Sequence, residues 1–253
     1  MRSATDMTHR VALVTGAASG LGRAIALGFA HAGAELALLD VNAQGLAETA
    51  EAVRALGRRA EVIEADISKP EICRSAVEDV VSKFGKLDAL CNVAGVLVFC
   101  HSHEMTVADW DKTLAVNLSA PFHLMQAAIP HLLQTNGAIV NVTSQAAFVA
   151  QSYSTAYSAS KAALTHLTRA LAMEYAHKPI RINAVAPGGM MTPMLGAVQM
   201  PRDVDFALIQ RYSALRGMVE IDDVADMVVY LASPAGKAYH GACINIDAGG
   251  SAG

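Results

Sequence analysis

Aromatic side chains are scarce in this 253-residue chain, at 5%, with a single tryptophan. The core must therefore be aliphatic, built from the abundant Ala, Val, Leu, Ile and Gly. Basic runs are scarce too. Arg54, Arg58 and Arg59 form the one short cluster, at a helix end where a solvated cap accounts for it, and the formal net charge is -4. That excludes an electrostatic nucleic-acid footprint. No uninterrupted apolar run is long enough to span a bilayer. Met1 to Arg10 is polar and lacks the apolar stretch of a signal peptide. The four cysteines, Cys73, Cys91, Cys100 and Cys243, are scattered without a Cys-x-x-Cys pair. Reduced, partly buried thiols in a cytoplasmic protein are the expectation. His101 and His103 resemble half of a metal site, but no third ligand lies near in sequence, so no metal is expected.

What is present is rhythm. Short apolar runs at Val11–Thr15, Glu35–Asp40, Ala60–Ala65, Leu87–Cys91, Ala138–Val142, Ile180–Ala186 and Ala242–Ile246 read as strands. Amphipathic stretches between them read as helices: Leu21–His31, Ala43–Leu56, Pro70–Phe84, Val107–Leu133 with a kink at Pro121, and Thr155–His177. Asp203–Leu215 and Asp222–Leu231 are helical in pattern. This alternation predicts an α/β fold, a Rossmann-type doubly wound parallel sheet of about seven strands with helices on both faces. No linker divides residues 1–253, so one domain is expected. Residues 188–217, rich in Met, Pro and Gly, are long for a connection and read as a lid.

Two features point to a dinucleotide. Thr15 to Gly22 follows the first strand and opens the first helix, with Gly16, Gly20 and Gly22 in a G-x-x-x-G-x-G spacing. Glycines let backbone approach a phosphate, and a helix N-terminus favours its charge. Asp40 ends the second strand, where a carboxylate can accept from the adenosine ribose hydroxyls and repels a 2′-phosphate. The residues after it, Val41 and Asn42, are not basic, and neither is Ser19. NAD is favoured over NADP. A helix-capping Asp is the competing reading.

The third feature is Tyr157 with Lys161 four residues on. Such residues share a helix face. The ammonium is expected to lower the phenol's pKa and make it a proton-transfer group.

Together with Asp66, Asn92-Val93-Ala94-Gly95, Asn117, Ser144 and Pro187-Gly188, these motifs make the chain, from Val11 to Gly250, resemble the classical short-chain dehydrogenase/reductase family. Val93 departs from the commoner Asn-Asn-Ala-Gly pattern. The resemblance implies hydride transfer between a secondary alcohol carbon and a nicotinamide. It implies Tyr157 as acid or base, Lys161 tuning it and holding the nicotinamide ribose, Ser144 on the substrate oxygen, and Asn117 anchoring a proton-relay water. It places Gly16, Ser19, Gly20, Leu21 and Gly22 on the pyrophosphate side, and Asp66 and Ile67 at the adenine. Asn92, Ala94 and Gly95 then lie along the adenosine ribose and the central sheet, and Pro187, Gly188 and Thr192 contact the nicotinamide end and the pyrophosphate.

Loops at the strands' C-terminal ends supply pocket candidates: Leu97, Phe99, Gln145, Phe148, Tyr153, Met190, Met191, Met194, Leu195 and Met200. Most are apolar, and Met adapts to irregular shapes. A hydrophobic or alicyclic alcohol or ketone, steroid-like ones included, is the expected substrate. The alternatives are a 3-oxoacyl-carrier-protein reductase using NADPH and a non-catalytic dinucleotide sensor. The resemblance also implies a homotetramer built through the long helices, here 107–133 and 155–177.

Overall fold

The computed structural model describes residues 5–213 and 216–252, so the helix end expected at Leu215 lies outside the described residues, as do residues 1–4 and Gly253. Seven parallel strands form one sheet in the order β3-β2-β1-β4-β5-β6-β7. They are β1 (Val11–Thr15), β2 (Glu35–Asp40), β3 (Ala60–Glu64), β4 (Ala89–Asn92), β5 (Ala138–Val142), β6 (Arg181–Pro187) and β7 (Cys243–Ile246). The order reverses between β1 and β4. At such a switch point neighbouring connections leave on opposite faces and open a crevice at the strands' C-terminal edge.

Successive residues of each strand feed opposite layers. Ala12, Val14, Leu36 and Leu38 pack with α1 (Gly20–His31), α2 (Ala43–Ala55) and α9 (Ile221–Ala232). Val11, Leu13, Ala37 and Leu39 pack with α3 (Pro70–Phe84), α5 (Ala120–Thr135) and α6 (Thr155–Glu174). Every residue of β1 and β5 is buried, as a sheet covered on both faces requires.

The elements differ from their sequence expectations in places. The stretch 107–133 is two helices, α4 (Val107–Leu114) and α5, joined by a π turn at Ala115–Ser119. The break precedes Pro121, which occupies the first turn of α5, where proline is tolerated. The helix expected at Asp203–Leu215 shrinks to α8 (Phe206–Gln210), and α7 (Pro193–Gly196) was not foreseen. Helix α6 stops three residues short of His177, with Tyr175 at its C-cap. No described helix is long and apolar enough to cross a membrane.

Candidate active site

The chemistry-bearing residues converge on the C-terminal edge of the sheet. The turn after β1 is held from several sides. Gly16 has φ +70°, and a Cβ there would stand 3.0 Å from the Ala94 backbone. At Gly22 it would stand 2.0 Å from the Gly16 carbonyl oxygen. Both positions therefore exclude a side chain. Ser19 is the N-cap of α1, yet its side chain makes no capping bond. The first N–H groups of α1 have no intrahelical acceptor and form the positive end of its dipole.

Asp40 stands beside this turn. Its carboxylate accepts from Ala18 N at 3.2 Å and from Asn42 N at 3.0 Å. The cap of α2 is Asn42, which accepts from Gly45 N, so the capping role falls to the neighbour and not to Asp40. A donor-rich helix start beside a partly exposed carboxylate fits a dinucleotide, with the pyrophosphate on one and ribose hydroxyls on the other.

Thr15 braces the next loop, accepting from Val93 N at 2.9 Å and Ala94 N at 3.0 Å. This ties the Asn-Val-Ala-Gly turn to β1, while Val93 packs against the α1/α9 layer. The Asn92 side chain is not free to line a ribose. It is buried and donates to Asn141 Oδ1 at 2.8 Å, and Asn141 donates in turn to Thr168 on α6. Its Oδ1 is buried as well, without a hydrogen-bond partner among the described residues. Asp66 is exposed, and its bonds from Ser68 hold it below the usual carboxylate range; Ile67 beside it is buried. Past β6, Thr192 caps α7, and Thr192 and Pro193 lie against Gly20, closing the turn from above.

The catalytic candidates are buried together. Tyr157, Ser160 and Lys161 lie on the buried face of α6. Ser144 begins the 3-10 turn Gln145–Ala147, where its Oγ accepts from Ala146 N at 3.1 Å. Ser144 also hydrogen-bonds the Tyr157 phenol. Lys161 Nζ donates to the Val142 carbonyl at 2.8 Å and sits 5.7 Å from the centre of the Tyr157 ring.

The Tyr157 phenol is pushed up, not down, because burial penalises the phenolate more than the Ser144 hydrogen bond favours it. Burial also lowers Lys161, to about 8. The two groups share one desolvated site, so Lys161 alone does not bring the phenol into the neutral range.

Asn117 lies at the centre of the π turn. Its Oδ1 accepts from Val96 N at 2.8 Å, and its Nδ2 donates to Val96 O at 2.9 Å and Ser160 Oγ at 3.2 Å. Ser160 donates to the Tyr157 carbonyl at 2.7 Å. The amide thus clamps the loop after Gly95 to α6 instead of presenting a free group to water. Gly95 keeps this corner narrow, since a Cβ there would stand 3.7 Å from Lys161 Nζ.

Of the pocket candidates, Phe148 and Met194 are exposed at the rim, while Leu97 and Met190 are half-buried. Gln145 is 1% exposed; its amide donates to the Tyr212 carbonyl at 3.3 Å, and its side chain fills the space a Cβ at Gly250 would occupy. It bridges Tyr212 and the C-terminal segment rather than standing open. Tyr153 has φ +66°, a strained value for a bulky residue, and its hydroxyl accepts from Asp205 N at 2.9 Å. His101 packs edge-on against Tyr153 and bonds the Arg202 carbonyl at 3.0 Å. Tyr212 donates to Ser152 O. These bonds tie residues 202–212 to the loops after β4 and β5. The bracing roles of Thr15, Ser160 and Tyr212 carry no local sequence signal, because their partners lie far along the chain or in the backbone.

Residues 16–251 match the family model described as enoyl-(acyl carrier protein) reductase. The chain is 36% identical over 243 residues to a cis-4-hydroxycyclohexanecarboxylate dehydrogenase of Sinomonas cyclohexanicum, across 95% of this chain and 96% of that protein. A short chain dehydrogenase from Mycobacterium paratuberculosis, solved bound to NAD, superposes with TM-score 0.91 at 28% identity, covering 98% of this chain and 100% of that one. Another, from Burkholderia cenocepacia in complex with NADP, gives 0.88 at 36% identity, covering 97% and 99%.

Proposed function

Because this chain belongs to the short-chain dehydrogenase/reductase family, we propose that it is an NAD-preferring dehydrogenase of hydrophobic or alicyclic secondary alcohols and the matching ketones. The observation that carries the reading is the buried group Ser144, Tyr157 and Lys161 at the same sheet edge as the glycine turn and Asp40.

When bound, the dinucleotide supplies the nicotinamide carbon that accepts or gives the hydride. The chain's residues supply the rest. Ser144, which hydrogen-bonds the Tyr157 phenol when no substrate is bound, turns its proton to the substrate oxygen on binding and stabilises charge there. Tyr157 takes the hydroxyl proton in oxidation and returns it in reduction. Its raised pKa keeps the phenol protonated at neutral pH, suited to the reductive direction. Lys161, lowered only to about 8, is still mostly charged at pH 7 and favours the phenolate that oxidation needs. Asn117 and Ser160 hold the loop and helix that carry these groups. A relay water leading from Lys161 to solvent is placed beside the π turn that carries Asn117.

NAD over NADP rests on Asp40, whose charge opposes a 2′-phosphate. The apolar rim, Leu97, Phe148, Met190 and Met194, supports a hydrophobic substrate, and the alicyclic relative agrees with it. The enzyme acts as one catalytic domain, a cytoplasmic homotetramer that docks neither nucleic acid nor membrane. A panel of cyclic secondary alcohols assayed with NAD tests the substrate reading. Turnover of alicyclic members above linear polyols supports it; turnover of polyols alone contradicts it.

A further inference from the structure

We infer that Arg23 and Thr49 are positioning residues that hold the glycine turn in its pyrophosphate-binding shape from behind. The inference rests on the dinucleotide reading above.

Four successive backbone groups of the turn are each held by a different partner. Ala17 N donates to the Leu39 carbonyl at 3.2 Å. The Ala17 carbonyl accepts from Thr49 Oγ1 at 2.9 Å. Ala18 N donates to Asp40 at 3.2 Å, and the Ala18 carbonyl accepts from Arg23 Nη2 at 2.7 Å. The Ala18 peptide units are thus gripped between a carboxylate and a guanidinium. Thr49 is fully buried, and its hydroxyl lies 2.9 Å from the Gly45 carbonyl as well. Arg23 Nε donates to that hydroxyl at 2.9 Å, while Nη2 also reaches Gly45 O at 3.3 Å and Glu48 at 2.9 Å. Helix α2 seats tightly here, since a Cβ at Gly45 would stand 2.7 Å from Ala18 O.

This arrangement decides what is left over. With the groups of Ala17 and Ala18 satisfied from β2, α1 and α2, the unpaired donors are the N–H groups that open α1. Those are the groups a pyrophosphate needs. Arg23 is a cation in the same first turn, but its guanidinium is taken up by two carbonyls, Thr49 and Glu48. It therefore acts through the turn and not as a direct phosphate contact. Without it the Ala18 carbonyl loses its charged partner and the turn can rotate. Binding must then order the turn as well, which weakens affinity.

The test is NADH titration, by nicotinamide fluorescence, of wild type, Arg23→Met, Arg23→Lys and Thr49→Val, with the melting temperature of each measured without cofactor. The inference predicts about tenfold weaker NADH binding for Arg23→Met, a severalfold loss for Thr49→Val, and partial recovery in Arg23→Lys, which keeps a donor within reach of one carbonyl. NADH binding within twofold of wild type in both Arg23→Met and Thr49→Val overturns it. Weakening that only follows a fall in melting temperature, with no recovery in Arg23→Lys, also overturns it, as the mark of a purely structural network. Wild type that binds neither NADH nor NADPH defeats the cofactor reading and this inference together. Wild type that binds while the variants bind equally defeats this inference alone.

Discussion

At the scale of single residues, the site trades stability for chemistry at Lys161. Burial lowers its ammonium to about 8, against roughly 10.4 for a free lysine. Between those values the unfolded chain holds more protons than the folded one, so folded stability rises with pH across that window. Below about pH 8 both states are protonated, and the buried charge costs stability in full. Lys161→Met carries no such proton. Denaturant unfolding at several pH values should show wild type gaining on Lys161→Met from about pH 8 to 10; parallel stabilities across that range would contradict this. The chemistry itself is tested at Tyr157. Tyr157→Phe keeps the ring and removes the proton-transfer oxygen, so turnover should fall roughly a hundred- to ten-thousand-fold while NADH affinity stays within a few-fold. Retained turnover would remove Tyr157 from the mechanism.

At the scale of elements, the strands were legible because their apolar runs are short and bounded by turns. Strands β1, β2 and β5 fall on their expected residues, and the chain's periodicity distinguishes the helices flanking them. The π turn was not legible, since nothing in Ala115–Ser119 signals an extra residue per turn; it follows from Asn117 bonding to both Val96 and α6. The lid helices were overestimated because Asp203–Leu215 has a helical pattern but little burial to reward it. Asp40 and the glycine turn were readable from spacing, whereas Arg23 was not, because its partners come from α2 far along the chain. The same holds for Arg181 at the start of β6. Its guanidinium donates to the Leu231, Ala232 and Ser233 carbonyls at the end of α9, satisfying groups a helix end leaves open, and to the Gly236 carbonyl in the turn beyond it. Arg181→Ala should cost about 2–4 kcal/mol in chemical unfolding. A loss below about 0.5 kcal/mol would mean that water replaces these bonds freely.

At the scale of the whole molecule, two apolar side chains stand far out on the long helices proposed as the assembly surface. Met173 on α6 is 78% exposed and Val107 on α4 is 76% exposed, with Trp110 and Phe122 also open along α4 and α5. These side chains are the ones that an interface along these helices would cover. Met173→Glu should therefore shift a native tetramer to smaller species in size-exclusion chromatography with light scattering. A monomeric wild type, or a mutant that stays tetrameric, would count against these helices as the interface. The segment after β6 is the other feature that depends on many parts at once. Loops after β4 and β5 and the C-terminal segment all bond to it, so its position reflects the whole sheet edge and not a local motif.

The central claim is that this sheet edge holds NAD in preference to NADP, with Asp40 as the reader of the ribose. The most direct measurement is a parallel titration of wild type with NADH and NADPH, followed by nicotinamide fluorescence and repeated with Asp40→Ala. The account predicts clearly tighter binding of NADH, with the preference shrinking at least severalfold in Asp40→Ala. Tighter binding of NADPH by wild type would contradict the account and turn the search for substrates towards ketones and acyl thioesters.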